Sequence, residues 1–441
     1  MNFFKAIIVR ILTLESRLIL RKYKPFIVAV TGSVGKTSTK DAIYSVLKSP
    51  GLCLPDGGIC YVRKTDKSMN SDIGLPLTVI GVPNAWRDIG GWVNNIIAGL
   101  KLILIKSEYP DCLILEVGAD HPGDIRNIAH WLQPDIAVIT KVSKTPVHVE
   151  FFDSPEQVFE EKASLAEAVK PGGTLVLFAD DEKVASLADR VKDKGVKILT
   201  FGITAPATVR GTDCKAIYAD NAPIGISFTL DLVGEKSPVI IHNILGSSYM
   251  YPLLAAAAVG KARNVPLASI VSSLESYDAP KGRMHIIQGL NGSTLIDDTY
   301  NSSPDAVVSA LDTLKGLETS GAKIAVLGDM MELGKYSTEQ HRGAGKEVVG
   351  SANQLITVGP RSRATAEEAV KGGLPAGAAN SFATSEEAAA FLAPIVKSGD
   401  IILIKGSQSM RMEKVAKALL RQPERAGELL VRQEKEWLRK E

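Results

Sequence analysis

The sequence predicts an α/β fold: a doubly wound, mostly parallel sheet, a second α/β series after it, and a short amphipathic helix in front. Three observations carry this. Apolar runs of strand length alternate with helical patterns along most of the chain. The first such run, residues 26–30 (FIVAV), passes through the glycine-bearing turn TGSVGKTS at residues 31–38 straight into a helix-like stretch at 39–47. A stretch broken by proline and glycine, residues 277–283 (YDAPKGR), then separates the two series. The boundaries that follow are 1–24 for the amphipathic helix, 25–280 and 281–421 for the two α/β units, and 422–441 for a charged helical tail.

In residues 1–24, Phe3, Phe4, Ile7, Ile8 and Ile11 continue through Leu12, Leu14, Leu18 and Ile19 as a broad apolar stripe at helical spacing. Six cations, Lys5, Arg10, Arg17, Arg21, Lys22 and Lys24, stand against the single anion Glu15. Arg10 and Arg17 interrupt any membrane-spanning run, and no small-residue cleavage site follows, so neither a span nor a signal peptide fits. Two readings stay open: a helix packed on the body of the protein, or one lying on an anionic lipid surface.

The turn at 31–38 is built to hold phosphate. Backbone N–H groups around Gly32, Ser33, Gly35 and Ser38 can converge on an anion, and the following helix N-terminus adds its partial positive charge. Lys36 can reach the β/γ-phosphates and the Thr37 hydroxyl can ligate Mg²⁺. The pattern predicts ATP or GTP binding, although Val30 stands where a full G-x-x-x-x-G-K-[ST] run has its first glycine.

Buried parallel strands are expected at 113–117, 136–139 and 174–178, antiparallel strands within 207–242, and an alanine-rich buried helix at 253–259. The second series supplies strands at 293–297, 323–327, 354–358 and 400–404. From Arg421 the charge density predicts a solvated terminal helix.

Composition is that of a large globular protein: 45% hydrophobic and 23% charged residues in 441. The 51 basic and 49 acidic residues nearly cancel, giving no electrostatic case for nucleic acid. Cys53, Cys60, Cys112 and Cys214 are too irregularly spaced for a zinc site, and a reducing cytoplasm is the simplest setting.

Three side chains outside the turn point to chemistry. Glu116 closes an apolar strand and should project from the carboxyl edge of the sheet, where it can hold Mg²⁺ or simply form a loop salt bridge. His148 follows the 136–139 strand by a polar loop and should share that edge, although a lone loop histidine is commonly without a role. Lys162 falls on the apolar stripe of Val158, Leu165 and Val169. Burial there favours the neutral amine, which can add CO₂ to form a carbamate; snorkelling and a buried ion pair with a glutamate are the other readings.

Taken together, TGSVGKTSTKDAI, NSDIGLPLTVI from Asn70, EVGADHPGDI from Glu116, PVHVEFF around His148, Lys162, DDTYNSSPDA from Asp297, GDMMELG from Gly328 and KGSQSMRMEKV from Lys405 resemble the Mur ligases of peptidoglycan synthesis over residues 26–420. The last two runs resemble the branch that adds D-alanyl-D-alanine to a nucleotide-linked muramoyl tripeptide. The resemblance implies a central P-loop domain, a Rossmann-like C-terminal domain and ATP-dependent amide ligation through an acyl phosphate. It further implies that Lys36 neutralises the β/γ-phosphates, that Thr37 and Glu116 bind one Mg²⁺, and that His148 and a carbamylated Lys162 bind a second. By the same resemblance Arg283 reaches the γ-phosphate from the linker, and Asp298, Tyr300 and Asn301 contact the nucleotide.

Departures from the family pattern are specific. Only the basic amphipathic segment stands where the family has a uridine-binding domain, so UDP binds elsewhere, another chain grips it, or the acceptor differs. Tyr249 and Pro252 occupy positions where the family has asparagines that help read adenine, and Lys141 replaces another asparagine. The expectation is a cytoplasmic monomer acting on small-molecule substrates, with peripheral membrane contact through residues 1–24 in the second of the two readings of that helix. A polyglutamate-type ligase and a non-catalytic nucleotide-binding scaffold are the rival classes.

Overall fold

The computed structural model describes residues 3–48, 61–66, 69–86, 88–146 and 148–439. Cys53 and Cys60 lie outside them.

Among the described residues the first sheet has nine strands: β1 (Phe26–Thr31), β2 (Val62–Lys64), β3 (Cys112–Glu116), β4 (Ile136–Ile139), β5 (Thr174–Phe178), β6 (Lys197–Gly202), β7 (Val209–Ala219), β8 (Ala222–Leu232) and β9 (Glu235–His242). Their order is β2-β3-β1-β4-β5-β6-β7-β8-β9. Pairing is parallel as far as β7 and antiparallel through β7, β8 and β9. β1, β3, β4 and β5 are buried almost throughout, as unbroken apolar runs demand when helices cover both faces. β7 and β8 alternate between buried and accessible positions, as one-sided antiparallel strands do.

The second sheet contains β10 (His285–Gln288), β11 (Thr294–Asp298), β12 (Lys323–Gly328), β13 (Gln354–Val358), β14 (Ala379–Phe382) and β15 (Ile401–Lys405), in the order β10-β11-β15-β12-β13-β14. Only β10 runs antiparallel to its neighbour. In the first sheet the chain leaves β1 to build one flank and returns to its other side at β4. That reversal opens a crevice at the carboxyl end of β1, where ligands bind in open α/β sheets.

Helix α1 (Phe3–Tyr23) packs against α3 (Gly74–Ile80) and α4 (Ile89–Leu104), with α2 (Lys36–Leu47) following the phosphate loop. Its inner face buries Ile8, Leu12 and Ile19, each contributing on the order of 2 kcal/mol of transfer free energy. At its end Lys22 donates to the carbonyls of Leu102 (2.7 Å), Ile103 (3.0 Å) and Ile105 (2.7 Å), capping the terminus of α4 with a cation. The packed reading therefore holds for this face. Among the described residues no helix is long and apolar enough to cross a membrane.

The chain's end departs from expectation. In place of one solvated helix from Arg421 there are short turns at Pro423–Arg425, Ala426–Leu429 and Lys435–Leu438. Arg432 between them is buried, bonding the carbonyls of Thr299 (3.0 Å) and Tyr300 and the carboxylate of Glu413 (3.1 Å). Charge density predicted solvation, but these unfilled carbonyls and a buried glutamate give the guanidinium better partners than a helix surface would.

Glu15 is the anomaly of the helical layer. It is 3% exposed, both carboxylate oxygens lack a hydrogen-bond partner, and it lies over Gly99 of α4, where a Cβ would come within 2.3 Å of Oε2. Burial pushes its carboxyl up to about 7. Because the folded-state value lies above the ordinary one, the folded protein holds the proton more tightly, and stability falls as pH rises from about 4.5 to 7. Glu15→Gln is expected to leave stability unchanged at pH 4.5 and raise it at pH 8 by up to about 3 kcal/mol. Urea unfolding at both pH values measures this, and an equal effect at the two would contradict it.

Candidate functional site

The phosphate loop grows from local geometry at the end of β1. Gly32 has φ 147°, and a Cβ there would lie 1.9 Å from Oγ1 of Thr140, so only glycine fits. Gly35 adopts a left-handed conformation (φ 85°) at the N-terminus of α2. The loop is tied to the strand beside it: the N–H groups of Ser33 (2.8 Å) and Val34 (3.3 Å) donate to the Lys141 carbonyl, and the Thr140 hydroxyl donates to the Val34 carbonyl at 2.8 Å. Lys36 folds back to donate to the Gly32 carbonyl at 2.9 Å. Burial is the main cause holding its ammonium below the ordinary lysine range, with Arg283 adding to it and Glu116 opposing.

Glu116 sits beside the loop because Val30 and Glu116 are register partners between β1 and β3. Its Oε1 accepts from Asn70 at 3.1 Å, while Oε2 is buried with no hydrogen-bond partner. A carboxylate oxygen left bare next to a phosphate loop suits a cation, so Glu116 fits a Mg²⁺ there, and Thr37 lines the same cavity.

The other expected pair is arranged differently. His148, at φ 70°, directs Nδ1 to Glu332 (2.7 Å) and Nε2 toward Asp120 (3.7 Å). The imidazole holds the Glu332 carboxyl below the usual carboxylate range. Lys162 is buried on the helix Pro155–Glu167, and among the described residues it makes no hydrogen bond or ion pair. The neighbouring Glu161 does not pair with it but caps the helix Asp124–Leu132, accepting from the N–H groups of Gly123 and Arg126 at 2.9 Å each. Desolvation, with the nearby charge of Lys36 second, pulls Lys162 down to about 7. Snorkelling and a glutamate ion pair are thus both set aside. His148 is committed to Glu332 and Lys162 carries no carboxylate, so the unmodified residues do not form a second metal site. Among the described residues no three His, Cys, Asp or Glu side chains converge on a metal-sized position.

The second sheet contributes from its own carboxyl edge. Asp298 and Lys405 are register partners at the ends of β11 and β15, and their side chains pair at 2.6 Å. Lys405 also donates to the Asn301 carbonyl at 3.0 Å. Arg283 lies over the Tyr300 ring, 4.2 Å from its centroid, with Nε buried and without a hydrogen-bond partner.

These groups meet around one cavity of about 550 Å³. The phosphate loop, Asn70, Glu116 and His148 line one side, and Arg283, Asp298, Tyr300, Asn301 and Lys405 the other. Phe178, Phe201, Tyr251 and Pro252 add an apolar wall, with Phe178 and Tyr251 edge to face at 4.7 Å. Tyr249 also lines the cavity, its hydroxyl near Ser38 and Tyr277 and pushed up to about 12 by burial. Lys162 is not part of this lining. Lys141 pairs with Asp305 at 3.1 Å, so together with the His148–Glu332 contact two polar pairs bridge the halves. Sequence reasoning gave no individual role to Asn70, Lys405, Glu332 or Asp305. All four lay inside the distinctive runs, but which side chains converge depends on sheet register.

Residues 30–90 and 92–260 match the Mur ligase middle domain, and residues 282–408 match the family described as Mur ligase, glutamate ligase domain. The UDP-N-acetylmuramoyl-tripeptide--D-alanyl-D-alanine ligase of Bacillus subtilis is 27% identical over 398 residues, covering 90% of this chain and 76% of that protein. Its Haemophilus influenzae counterpart is 26% identical over 405 residues, covering 90% and 77%. Among solved structures, MurF ligase from Thermotoga maritima in complex with ADP superposes with a TM-score of 0.74 at 25% identity, covering 93% of this chain and 83% of that one. A folylpolyglutamate synthase from Mycobacterium tuberculosis shares the fold, with a TM-score of 0.63 at 14% identity over 92% of this chain and 94% of that one.

Proposed function

Because the chain belongs to the Mur ligase family, we propose that it is the ATP-dependent peptide ligase that joins D-alanyl-D-alanine to a UDP-N-acetylmuramoyl-tripeptide-like acceptor, releasing ADP and phosphate. The observation that carries this reading is the shared cavity, where a phosphate loop from one sheet faces Asp298 and Lys405 from the other and Arg283 from the linker between them. An acyl phosphate needs the acceptor's carboxylate brought against a γ-phosphate, and two anions approach only where cations surround them.

In this reading the N–H groups at the start of α2 and Lys36 hold the β/γ-phosphates, and Arg283 faces the transferred group from the linker. The acceptor carboxylate attacks the γ-phosphorus and ADP leaves. The amine of D-alanyl-D-alanine then attacks the acyl carbon, and phosphate departs from the tetrahedral intermediate. Thr37 and Glu116 would hold Mg²⁺, which when bound offsets the phosphate charge. Asp298, Tyr300 and Asn301 would contact the nucleotide, with the wall of Phe178, Phe201, Tyr251 and Pro252 offering its base an apolar face in place of asparagines. All of these groups come from one chain, which supports a monomer, and the nucleotide substrates suit the cytoplasm. The division into two domains near residue 280, with a hinge at 278–283, belongs to the same proposal.

Lys162 is buried, unpaired and poised to be neutral near pH 7, which favours carbamylation: the amine bonds to CO₂ carbon, a proton is lost, and a carboxylate results. That would supply the anion that the unmodified site lacks. A polyglutamate-forming reaction is the second reading, favoured by the nearly full-length match to the folylpolyglutamate synthase fold; the runs ending in GDMMELG and KGSQSMRMEKV favour the first.

Phosphate release from ATP with the muramoyl tripeptide acceptor is expected to require D-alanyl-D-alanine and to ignore glutamate. It should fall by at least about 10³-fold in a folded Lys36→Ala variant. Amine-independent release, a glutamate requirement, or normal turnover by Lys36→Ala would each refute the assignment. Lys162→Ala should lose most activity and regain part of it with added formate, which can place a carboxylate in the vacated space. Full activity in that variant would make Lys162 purely structural.

A further inference from the structure

The outer face of the α1–α4 helical pair belongs to neither core nor cavity. Along α4, Ile89, Val93, Ile97, Leu100 and Leu104 are all exposed, between 45% and 79%. Their spacing of 4, 4, 3 and 4 residues aligns them in one stripe down the helix. The opposite face of α4 buries Trp92, Asn95 and Gly99 against the body, so the helix is apolar on both faces where a surface helix should be polar on one. Ile7, Leu14 and Leu18 of α1 are exposed as well, and Trp86 stands 75% exposed just before α4. More than half of the large apolar side chains exposed among the described residues lie on this pair and its flanks.

Charge says what covers this face. Arg10, Arg17 and Arg21 follow one another at helical spacing beside Ile7, Leu14 and Leu18, three or four residues from each, and all three are exposed. Lys101 stands four residues after Ile97 and three before Leu104, and Lys106 follows the helix. None of these five cations makes an ion pair among the described residues. Among the described residues the exposed acidic side chains nearest the ends of α4 are Asp88 and Glu108. The rest of the chain is almost charge-balanced, so the excess of positive charge around a non-polar stripe is local. Apolar side chains in the centre, an indole at one end and unpaired cations at the border are the components of an interfacial membrane surface.

We propose that the α1–α4 face docks the protein on an anionic lipid bilayer, with the α4 stripe entering the headgroup and acyl boundary and Arg10, Arg17, Arg21, Lys101 and Lys106 contacting lipid phosphates. The inner face of α1 remains packed on the body, so docking needs no unfolding of the helix. The geometry shifts the main apolar element from α1 to α4, whose stripe is longer and more exposed. Binding of this kind is reversible and salt-sensitive, because the buried area is modest and each border cation interacts through a screened field. The proposal does not rest on which amine or acceptor the enzyme uses.

Co-sedimentation of the full-length protein with phosphatidylglycerol/phosphatidylcholine vesicles, and with phosphatidylcholine vesicles alone, tests it. The protein should sediment with the anionic vesicles at 20 mM salt, about tenfold less at 500 mM, and little with neutral ones. Ile97→Glu/Leu100→Glu changes only exposed positions and should reduce anionic binding by at least about tenfold while leaving unfolding and ATP-dependent turnover unchanged. Arg10→Gln/Arg17→Gln/Arg21→Gln should weaken binding and flatten its salt dependence. No sedimentation of the wild type with anionic vesicles at low salt would overturn the proposal. So would binding unchanged by the α4 substitutions. A wild-type dimer by light scattering that the α4 substitutions dissolve would show the face to be a protein interface and would also overturn it.

Discussion

The fit between Gly32 and Thr140 fixes the rest of the site. β1 lies between β3 and β4, and the chain must turn sharply at its end to reach α2 while staying against the strand beside it. With no Cβ at Gly32, the loop can lie on the Thr140 side chain and accept its hydroxyl bond at Val34, while Ser33 and Val34 donate to Lys141. Any larger residue would lift the loop from β4 and break these bonds; because the Ser33 and Val34 N–H groups are spent on Lys141, the donors left for an anion are those at the start of α2. The same sheet register sets Glu116 beside Val30, so one constraint places the phosphate cradle and the bare carboxylate oxygen together.

The second half meets that cradle through groups placed the same way. Asp298 and Lys405 lie opposite each other because β11 and β15 are neighbours, although more than a hundred residues separate them in sequence. Burial makes their 2.6 Å pair a rigid corner of the cavity; removing either member would strand a charge at a cost of several kcal/mol. The outer pairs Lys141–Asp305 and His148–Glu332 are partly exposed. Their energetic contribution is small, on the order of 1 kcal/mol or less each. His148 and Glu332 both sit at positive φ, so the loops carrying them are shaped to meet.

The sequence was most legible where burial is complete. β1, β3, β4, β5, β12, β13 and β15 are apolar at most positions, with polar residues chiefly at their ends, and their approximate positions follow from that pattern. β2, β6, β10 and β14 were missed because β2 is only three residues long, β10 and β14 are short edge strands with polar side chains, and β6, though inside the sheet, is only partly buried over Lys197–Thr200. The phosphate loop and Glu116 were readable from motif and position, and Arg283 only from the family resemblance. The partners of His148 and the convergence of Asn70 on Glu116 were not, since they depend on which loops the two sheets bring together. Lys162 was readable as buried from helical spacing, and its lack of an ion pair only from the structure. For α1 the pattern allowed packed and interfacial readings. The fold packs one face and leaves the other exposed, next to a second helix whose exposed stripe the charge pattern of residues 1–24 could not reveal.

The central claim is that one nucleotide site is assembled from both sheets across a hinge near residues 278–283. Small-angle scattering of the full-length protein, alone and with a non-hydrolysable ATP analogue plus acceptor, addresses it most directly. Under saturating ligand the profile should match the arrangement in which Arg283, Asp298 and Lys405 face the phosphate loop, and the ligand-free protein should be equally compact or more extended. A ligand-saturated profile more extended than this arrangement would mean that the two halves do not close on a shared nucleotide, and the account would fail.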